Sequence, residues 1–404
     1  MRVLIVSKFF YARGGADVVA MTTRDLLLKE GHEVQVFAMS YPQNVSLPES
    51  ATWPSQIEFD GPLAAKIKAF SRLMGLDDVV NRFRRVLDRF RPDVVHFHNI
   101  HSYLSPIVVS MAHDFGVRTV WTVHDLKLVC PAYLGRRPNG ALCTDCVDGR
   151  MHVMKYRCMK DSRLASFMAW LEALRWNRRK LSNATDVFIA PSLFMKKMLE
   201  RGHIYGRQGI SVLPNFIDPK KLRVILSAPR NENSAEEPFF AYVGRLSAEK
   251  GVKTLVLAAK KAGVRLKIAG DGPLRASLEE LARNAHVEFL GNLDAERVAE
   301  LLRDASASVL PSECFENNPL SIIESLCAGT PVIGADIGGI PELIQPGISG
   351  EHFISGSVDS LTQALRNFNA AAYDRRTIAR EAIWRFSEHE HLFRLLQIYK
   401  GKRI

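Results

Sequence analysis

The segment from residue 311 to residue 334 most constrains the fold, because it predicts a loop, a helix and a strand directly after a buried strand. Ala307–Leu310 is the short apolar run that predicts this first strand. Pro319 suits the first position of a helix, and Gly329 is a typical residue at a helix end. Strand, helix and strand in this order are typical of a parallel α/β sheet, in which helix N-termini lie at the carboxyl edge of the strands.

Two carboxylates accompany the predicted helix. Glu316 lies in the loop before the helix, and Glu324 lies inside it. Asn317 and Asn318 are good capping residues for the helix start. Because the amides of a helix N-terminus favour anions, this position suits a phosphate-bearing ligand. The alternative is that Glu316 is a surface acid stabilised by the helix dipole and that Glu324 is a solvated helix residue.

The alternation of apolar runs and helical segments occurs in two halves of the chain, which predicts an α/β protein. Two domains are expected for 404 residues, since one core stops growing at about 250–300 residues. Residues 214–219 break the periodic pattern of apolar residues, so they are predicted to link two domains. The predicted domains are 1–213 and 214–385, and residues 386–404 are expected to pack back on the first domain. Residues 227–238 are polar and predict a surface loop. The predicted strands are 3–7, 34–38, 93–97, 117–123, 186–190, 239–243, 264–269, 287–290, 307–310 and 331–333.

Two long basic helices are predicted in the first half. Residues 62–90 place Arg72 and other cations on one face, which indicates a solvated amphipathic helix or, less commonly, a membrane-surface helix. Residues 163–181 carry Trp170 and Trp176, which would lie at the level of lipid headgroups if exposed and in the core if buried.

The net charge of +11 favours an anionic partner. Residues 150–207 contain thirteen Lys and Arg against four Asp and Glu, a balance of +9. No nucleic-acid-binding pattern accompanies this excess, so an anionic membrane surface or a phosphorylated substrate is the expected partner and nucleic acid is not. No apolar run approaches ~18 residues and the first residues are too short a run for a signal peptide, which predicts a cytoplasmic location.

Four cysteines cluster in an insertion at about residues 130–160, namely Cys130, Cys143, Cys146 and Cys158. In a cytosolic chain this spacing predicts a structural zinc site, in which His152 could replace one ligand. The alternative is a lid-like insertion with reduced thiols. A histidine metal site at residues 96–101 is not expected, since no acidic ligands accompany it at usable spacing.

Several predicted strands end in loops with functional residue types. Gly14 and Gly15 follow the first strand, and His124 follows the strand at residues 117–123. Arg245 and Lys250 lie in a glycine-bounded loop before a helix, where two cations would neutralise a diphosphate. A second glycine turn contains Gly270, Asp271 and Gly272.

Together, GGAD near the N-terminus, HD after a buried strand, GRLSAEKG, GDGP and the two glutamates resemble the retaining glycosyltransferases of family four. The resemblance implies a GT-B fold, with two facing Rossmann-like domains and a C-terminal helix that crosses back to the first. It also implies a UDP- or GDP-sugar donor and no catalytic metal, and no D-x-D motif for binding Mg²⁺ is present. The four-cysteine insertion resembles a subgroup that assembles bacterial surface polysaccharides.

The resemblance also implies roles for single residues. Arg245 and Lys250 would hold the donor diphosphate, Glu324 the ribose and Glu316 the sugar hydroxyls, and His124 would lie beside the reacting sugar. The remaining donor-binding residues would be Gly14, Gly15, Gly270, Asp271, Gly272 and Asn318. Asp17 stands where glutamate is usual, which leaves the acceptor side open.

The predicted function is therefore retaining transfer of a sugar to a saccharide acceptor, linked to polyprenyl diphosphate, by a peripheral enzyme of the inner membrane face. The alternatives are a nucleotide-sugar epimerase, which needs no acceptor, and a sugar- or lipid-binding paralogue without catalysis.

Overall fold

The computed structural model describes residues 1–228 and 237–402. The chain forms two compact units, one of residues 1–214 with the C-terminal residues from Leu392, and one of residues 215–391. The sequence predicted boundaries after residues 213 and 385. Most of the loop predicted at residues 227–238 lies outside the described residues. In the described part of the chain no helix is long and apolar enough to cross a membrane.

The first unit is an α/β domain built on one parallel sheet. Its strands are β1 (Arg2–Val6), β2 (Glu33–Phe37), β3 (Val94–Phe97), β4 (Arg118–Thr122), β5 (Val187–Ala190) and β6 (Ile210–Val212). Its helices are α1 (Gly15–Lys29), α2 (Leu63–Met74), α3 (Asp78–Phe90), α4 (Ile107–Asp114), α5 (His152–Lys155), α6 (Arg163–Arg175), α7 (Arg178–Ala184) and α8 (Leu193–Arg201). The strand order is β2-β1-β3-β4-β5-β6, so the order reverses between β1 and β3.

The second unit repeats this architecture. Its strands are β7 (Phe239–Val243), β8 (Arg265–Ala269), β9 (Val287–Gly291), β10 (Ala307–Leu310), β11 (Val332–Ala335) and β12 (Gly350–Phe353). Its helices are α9 (Pro219–Ser227), α10 (Val252–Ala262), α11 (Arg275–Leu281), α12 (Ala295–Asp304), α13 (Leu320–Cys327), α14 (Val358–Asn367) and α15 (Arg375–Arg385). The order β12-β11-β10-β7-β8-β9 is that of a Rossmann-like domain and reverses between β7 and β10. The predicted α/β class with two Rossmann-like domains is confirmed.

The last helix, α16 (Glu388–Tyr399), contributes its C-terminal part to the first unit. There the Tyr399 hydroxyl lies 2.7 Å from His96 Nδ1. The Arg118 guanidinium donates to the carbonyl oxygen of Ile398 at 2.7 Å. The expected packing of the C-terminal helix on the first domain therefore uses buried polar contacts as well as apolar ones.

The prediction of two long helices in the first half is wrong, because each predicted helix is a pair of shorter helices in the structure. Residues 62–90 break at Gly75, which adopts the left-handed conformation at the end of α2, and Asp77 caps α3. Residues 163–181 break after Trp176, because the side chain of Asn177 accepts a hydrogen bond from Lys180 N and starts α7.

Smaller differences between prediction and structure concern two edge strands and the start of one helix. The sequence did not predict β6 and β12, which are short edge strands without a long apolar run. The helix predicted at residue 319 begins at Leu320, and Pro319 is its N-cap without a capping side chain. The Asn318 side chain caps nothing and instead accepts a hydrogen bond from Asn215 N at 2.9 Å.

The amphipathic pattern placed Arg72 on a solvated face of the helix. In the structure this side chain is instead 0% exposed. Its guanidinium forms ion pairs with Asp77 at 2.5 Å and Asp78 at 2.8 Å. It also donates to the carbonyl oxygens of Tyr103 and Ser55 at 2.6 and 3.0 Å. One buried cation thus holds together the helix break and two loops.

We predict that Arg72→Leu destabilises the first unit by about 3–5 kcal/mol, because it leaves a buried carboxylate without its partner. Chemical denaturation monitored by circular dichroism measures this loss. The matched control is Arg84→Leu on the exposed face of α3, which should change stability by less than about 0.5 kcal/mol. Equal stability of both variants would contradict a structural role for Arg72.

Candidate active site

In the second unit, the loops after β7 and β10 meet at the point where the strand order reverses. The loop after β7 contains Arg245 and Lys250, and the loop after β10 contains Glu316. Ligands of open α/β sheets bind at this kind of position. The sheet therefore brings together three of the residues that the sequence singled out.

Glu316 is held from several sides. Lys250 Nζ donates to Glu316 Oε1 at 2.6 Å, and Ser312 Oγ donates to the same oxygen at 2.8 Å. Gly339 N donates to the carbonyl oxygen of Glu316 at 2.8 Å. Burial lowers the pKa of Lys250, but the Glu316 carboxylate, together with Cys314 and Glu249, raises this pKa overall. The Lys250 ammonium and the Glu316 side chain therefore lie paired at the edge of the sheet.

Glu324 has its own lysine. Lys221 Nζ lies 2.5 Å from Glu324 Oε1, and the carboxylate is mostly buried. Lys221 lies on α9, whose start the sequence signals through Asp218 and Pro219. Nothing in the local sequence indicates the pairing itself, because the two residues are far apart in the chain.

Two glycines allow the loops to approach closely. Gly251 has φ +66°, and a Cβ atom there would lie 1.9 Å from the carbonyl oxygen of Pro311. Gly270 has φ +131°, and a Cβ atom there would lie 1.9 Å from the carbonyl oxygen of Gly244. Only glycine fits these two positions. Gly251 lets the loop with Lys250 pack against the loop after β10, and Gly270 lets the second glycine turn pack against Gly244.

A cavity of about 290 Å³ opens at the ends of β7, β8 and β9. Its lining includes Gly244, Arg245, Gly270, Asp271 and Asn292. Arg245 is exposed. The predicted glycine turn and the predicted diphosphate-binding arginine thus belong to one cavity.

Asn318 is buried and forms two hydrogen bonds with Asn215. Asn215 N donates to Asn318 Oδ1 at 2.9 Å, and Asn215 Nδ2 donates to Asn318 O at 2.7 Å. This amide pair fixes the chain where the second unit begins. A role of Asn318 in donor binding stays a prediction.

The carboxyl edge of the first sheet carries a histidine pair. His98 Nδ1 lies 2.9 Å from His124 Nε2. Desolvation lowers the pKa of His124 to about 4, so the ring is neutral at pH 7. Of the neighbouring histidines, His96 has its two ring nitrogens within 2.8 Å of Tyr399 Oη and Thr122 Oγ1. These contacts give His96 a structural role in the core of the first unit.

Three of the four insertion cysteines share one apolar cluster. Cys146 is buried there, and Cys130 and Cys158 pack against it. An interaction with Cys146 lowers the pKa of the Cys130 thiol to about 7. Cys143 N donates to Gly135 O at 2.8 Å. Among residues 1–228 and 237–402, no group of three or more His, Cys, Asp or Glu is arranged to hold a metal ion. The zinc site rests on the spacing of the cysteines in the sequence and stays a prediction.

Known families match both units. The model of Glycosyltransferase Family 4 matches residues 13–221, and that of Glycosyl transferases group 1 matches residues 227–383. The first match alone covers more than half of the chain. The chain belongs to glycosyltransferase family 4.

Relatives of this family 4 member differ widely in what they transfer. Sulfoquinovosyl transferase SQD2 of Arabidopsis thaliana is 30% identical over 237 residues, which are 55% of this chain and 44% of that protein. The chain thus spans less than half of the length of this relative. A GDP-mannose-dependent alpha-mannosyltransferase of Mycolicibacterium smegmatis is 28% identical over 359 residues, 86% of this chain and 82% of the relative.

The family fold is also found in solved structures. Anabaena HepE in complex with UDP-glucose superposes with a TM-score of 0.64 at 15% identity, covering 99% of this chain and 100% of HepE. At this identity the likeness shows the fold alone, which is GT-B.

We predict that the purified family 4 member contains about one zinc ion, bound by the four insertion cysteines. Elemental analysis measures the metal, and a chelator should lower the melting temperature because ligand binding and folding are coupled. Cys158→Ser should lose the zinc, whereas the control Cys327→Ser, in the core of the second unit, should retain it. Protein without zinc, whose insertion thiols all react in the folded state, would contradict the prediction.

Proposed function

We propose that this protein is a retaining glycosyltransferase that moves a sugar from a UDP- or GDP-sugar to a saccharide acceptor on polyprenyl diphosphate, in surface polysaccharide synthesis. The observation that carries the proposal is the carboxyl edge of the second sheet, where Lys250 pairs with Glu316 and where Arg245, in the same loop as Lys250, lines a cavity. The nucleotide sugar in the HepE complex supports the donor class. The cysteine insertion supports the polysaccharide role through the resemblance described above.

In the proposed reaction the bond between the anomeric carbon and the diphosphate oxygen breaks, and its electron pair leaves on the diphosphate. Arg245 and Lys250 stabilise the charge that develops there. The acceptor oxygen bonds to the anomeric carbon on the same face, and its proton passes to the departing phosphate. Glu316 orients the sugar hydroxyls and Glu324 the ribose, and no metal ion is needed. His124, neutral at pH 7, acts as a hydrogen-bonding group beside the sugar.

We predict that Arg245→Ala lowers kcat at least about 10²-fold, because it removes a donor to the charged leaving group. Steady-state release of nucleoside diphosphate in the presence of acceptor measures the rate. Arg245 suits the test because its side chain is exposed and its loss should not disturb folding.

The control for this variant is Lys253→Ala, an exposed cation on the helix that follows the same loop, which should keep the wild-type rate. A wild-type rate for Arg245→Ala would remove the assignment. Turnover of the nucleotide sugar without any acceptor would instead identify an epimerase or a hydrolase.

Membrane association has support from the exposed side of α2. Leu63, Ile67 and Phe70 follow the spacing of one helix face, and Leu63 and Ile67 are 74% and 58% exposed. Ala69 and Leu73 are buried on the adjacent side of the same helix. The apolar surface of this helix therefore extends beyond its buried side to exposed positions, which is unusual for a freely solvated helix.

A second helix, packed against α2, also carries exposed apolar side chains. On α6, Leu164, Phe167 and Leu174 are exposed. The ion pair between Lys160 and Asp60 ties the residues before the two helices, and the two helices contact each other. We name the exposed apolar side chains of this pair the α2/α6 face, consisting of Leu63, Ile67, Phe70, Leu164, Phe167 and Leu174.

The charge around the α2/α6 face suits an anionic bilayer. Lys66, Lys68 and Arg163 are exposed on the same two helices, and the +9 segment contains α6. Trp176 is buried and donates to Leu73 O at 2.7 Å, so it belongs to the core and not to the headgroup level. Each exposed Lys or Arg near an anionic bilayer contributes on the order of 1 kcal/mol.

We predict that the protein sediments with phosphatidylglycerol vesicles at low salt and is released toward 1 M salt, where the Debye length is ~3 Å. Ile67→Ser with Leu164→Ser should abolish binding without lowering transfer to a detergent-solubilised acceptor. The matched control is Ile354→Ser, equally exposed in the second unit. Binding that is indifferent to lipid charge would contradict the electrostatic contribution. Equally efficient transfer to a free saccharide would contradict the lipid-linked acceptor.

A further inference from the structure

A cavity of about 520 Å³ lies in the first unit, where the cysteine insertion meets α6 and the start of α7. Small-ligand sites typically have volumes of roughly 300–1,000 Å³ and a mostly apolar lining with a few polar groups. All residues that line this cavity lie between Arg150 and Arg179, so they belong to one unit. The cavity therefore has the size of a ligand site and is complete within the first unit.

One wall of the cavity is apolar and consists of Met151, Trp170 and Leu174. Trp170 packs against the apolar cluster that contains the insertion cysteines. Met151 and Leu174 are 57% and 45% exposed. Leu174 also belongs to the α2/α6 face, so the wall continues into the surface proposed to contact the membrane. The wall thus offers a contact for a lipid chain.

Three guanidinium groups also line the cavity, and none of its described lining residues is acidic. Arg178 donates to carbonyl oxygens of the insertion, so it contributes its charge but no unused donor. Arg150 Nη1 donates to Ala173 O, whereas Arg150 Nε and Nη2 have no partner in residues 1–228 and 237–402 and are not fully buried. The Arg179 side chain is exposed and forms no hydrogen bond or ion pair with any residue that the structure describes. Two arginines therefore keep donors for a ligand.

The positive charge at the cavity is incompletely balanced. Burial and the neighbouring Arg178 lower the pKa of Arg150 to about 10, so this group remains protonated at pH 7 next to a second cation. Asp148, which interacts electrostatically with Arg178, already forms an ion pair with Arg201 at 2.6 Å. An anion in the cavity would offset the repulsion between the guanidinium groups and accept their hydrogen bonds.

The cavity lies toward the carboxyl edge of the first sheet. Helix α7 leads directly into β5, and a helix of a parallel α/β sheet runs opposite to the strand that follows it, so α7 begins at that edge. Arg178, its first residue, donates to Val129 O at 3.1 Å, in the segment after β4 that also contains His124. A ligand in the cavity is therefore at the same edge as the residue assigned to the reacting sugar.

We propose that this cavity binds the diphosphate group of a prenyl diphosphate lipid, with the first part of the prenyl chain on the apolar wall. This inference rests on the proposed function and gives the lipid carrier of the acceptor a site of its own. A diphosphate monoester carries more negative charge than the phosphodiester of a bilayer lipid, so it suits three guanidinium groups better. The cysteine insertion, which supplies Arg150 and Met151, then serves to complete this site.

The test is calorimetric titration of the full chain with farnesyl diphosphate, a water-soluble prenyl diphosphate, below its micelle concentration. A 1:1 complex is expected. Inorganic diphosphate, which lacks the chain, and farnesol, which lacks the charge, should each bind at least about 10-fold more weakly. Equal affinity for inorganic diphosphate would indicate a bare anion site and overturn the inference, as would the absence of a 1:1 complex.

Arg179→Gln is the decisive variant, because its exposed side chain has no structural contact to lose. The Kd for farnesyl diphosphate should rise about 10- to 100-fold, the range expected for a hydrogen bond to a charged group. Met151→Glu, at an exposed position of the apolar wall, should also abolish binding. The matched control is Lys197→Gln, which removes an exposed charge of the same +9 segment outside the cavity and should keep the wild-type Kd. An unchanged Kd in Arg179→Gln, or an equal rise in Lys197→Gln, would contradict the proposal.

Other binding surfaces are separated by their own variants. Arg245→Ala should bind farnesyl diphosphate with the wild-type Kd, and a loss would place the probe in the donor cavity of the second unit. Ile67→Ser with Leu164→Ser should also keep the Kd, and a loss would place the probe on the α2/α6 face. Dihexanoyl phosphatidylglycerol below its micelle concentration should not compete with the probe. Equal competition would identify a general phospholipid site, and each of these three results would overturn the inference.

Failure of this inference can be distinguished from failure of the proposed function, because binding of the probe requires no sugar transfer. Transfer to the lipid-linked acceptor with the same acceptor KM in the wild type and in Arg179→Gln would overturn the inference and leave the function intact. Protein that binds farnesyl diphosphate through Arg179 but turns over no nucleotide sugar would support the site and overturn the function.

Discussion

All strands of a parallel sheet end at the same edge, and in both units this constraint decides which loops lie close together. Loops that are distant in sequence meet where the strand order reverses. In the second unit this places Lys250, after β7, beside Glu316, after β10. In the first unit it places Asp17 on the loop-helix segment after β1, next to the strand that leads to His98. The strand order thus determines which loops carry the candidate site residues, and the side chains act within that arrangement.

The glutamate before α13 and the glutamate within α13 are each paired with a lysine from elsewhere in the second unit. Lys250 pairs with Glu316 and Lys221 with Glu324. A partly buried ion pair adds little net stability, because desolvation offsets much of the attraction between the charges. Its effect here is to hold each carboxylate in one orientation. A sugar or ribose hydroxyl that binds a carboxylate then meets an oxygen that is already fixed, which reduces the entropy lost on binding.

Not every cation of the basic segment is available to a partner. The Arg178 guanidinium donates to the carbonyl oxygens of Val129, Cys146 and Val147 at 3.1, 2.7 and 2.6 Å. Its planar group presents five donors in a fixed fork, so one side chain can bind several backbone segments. Arg178 therefore anchors the cysteine insertion to the first domain. Counting charges in the sequence overstates the surface charge by including such residues.

The sequence by itself determined the fold class, most strands and the loops that carry the candidate site residues. These follow from local patterns, namely apolar runs, glycines and caps, which act within a few residues. The same patterns failed at Gly75 and at Asn177, where a left-handed glycine and a capping side chain end helices that periodicity alone would continue.

Only the tertiary structure decided the partners of these residues. It paired Lys221 with Glu324, tied Asn318 to Asn215 and buried Arg72 among carboxylates. It also left Asp17 buried without a hydrogen-bond donor on Oδ1 in the described chain. Such contacts join residues far apart in the chain, and a contact energy depends on distance and burial, which local sequence does not contain.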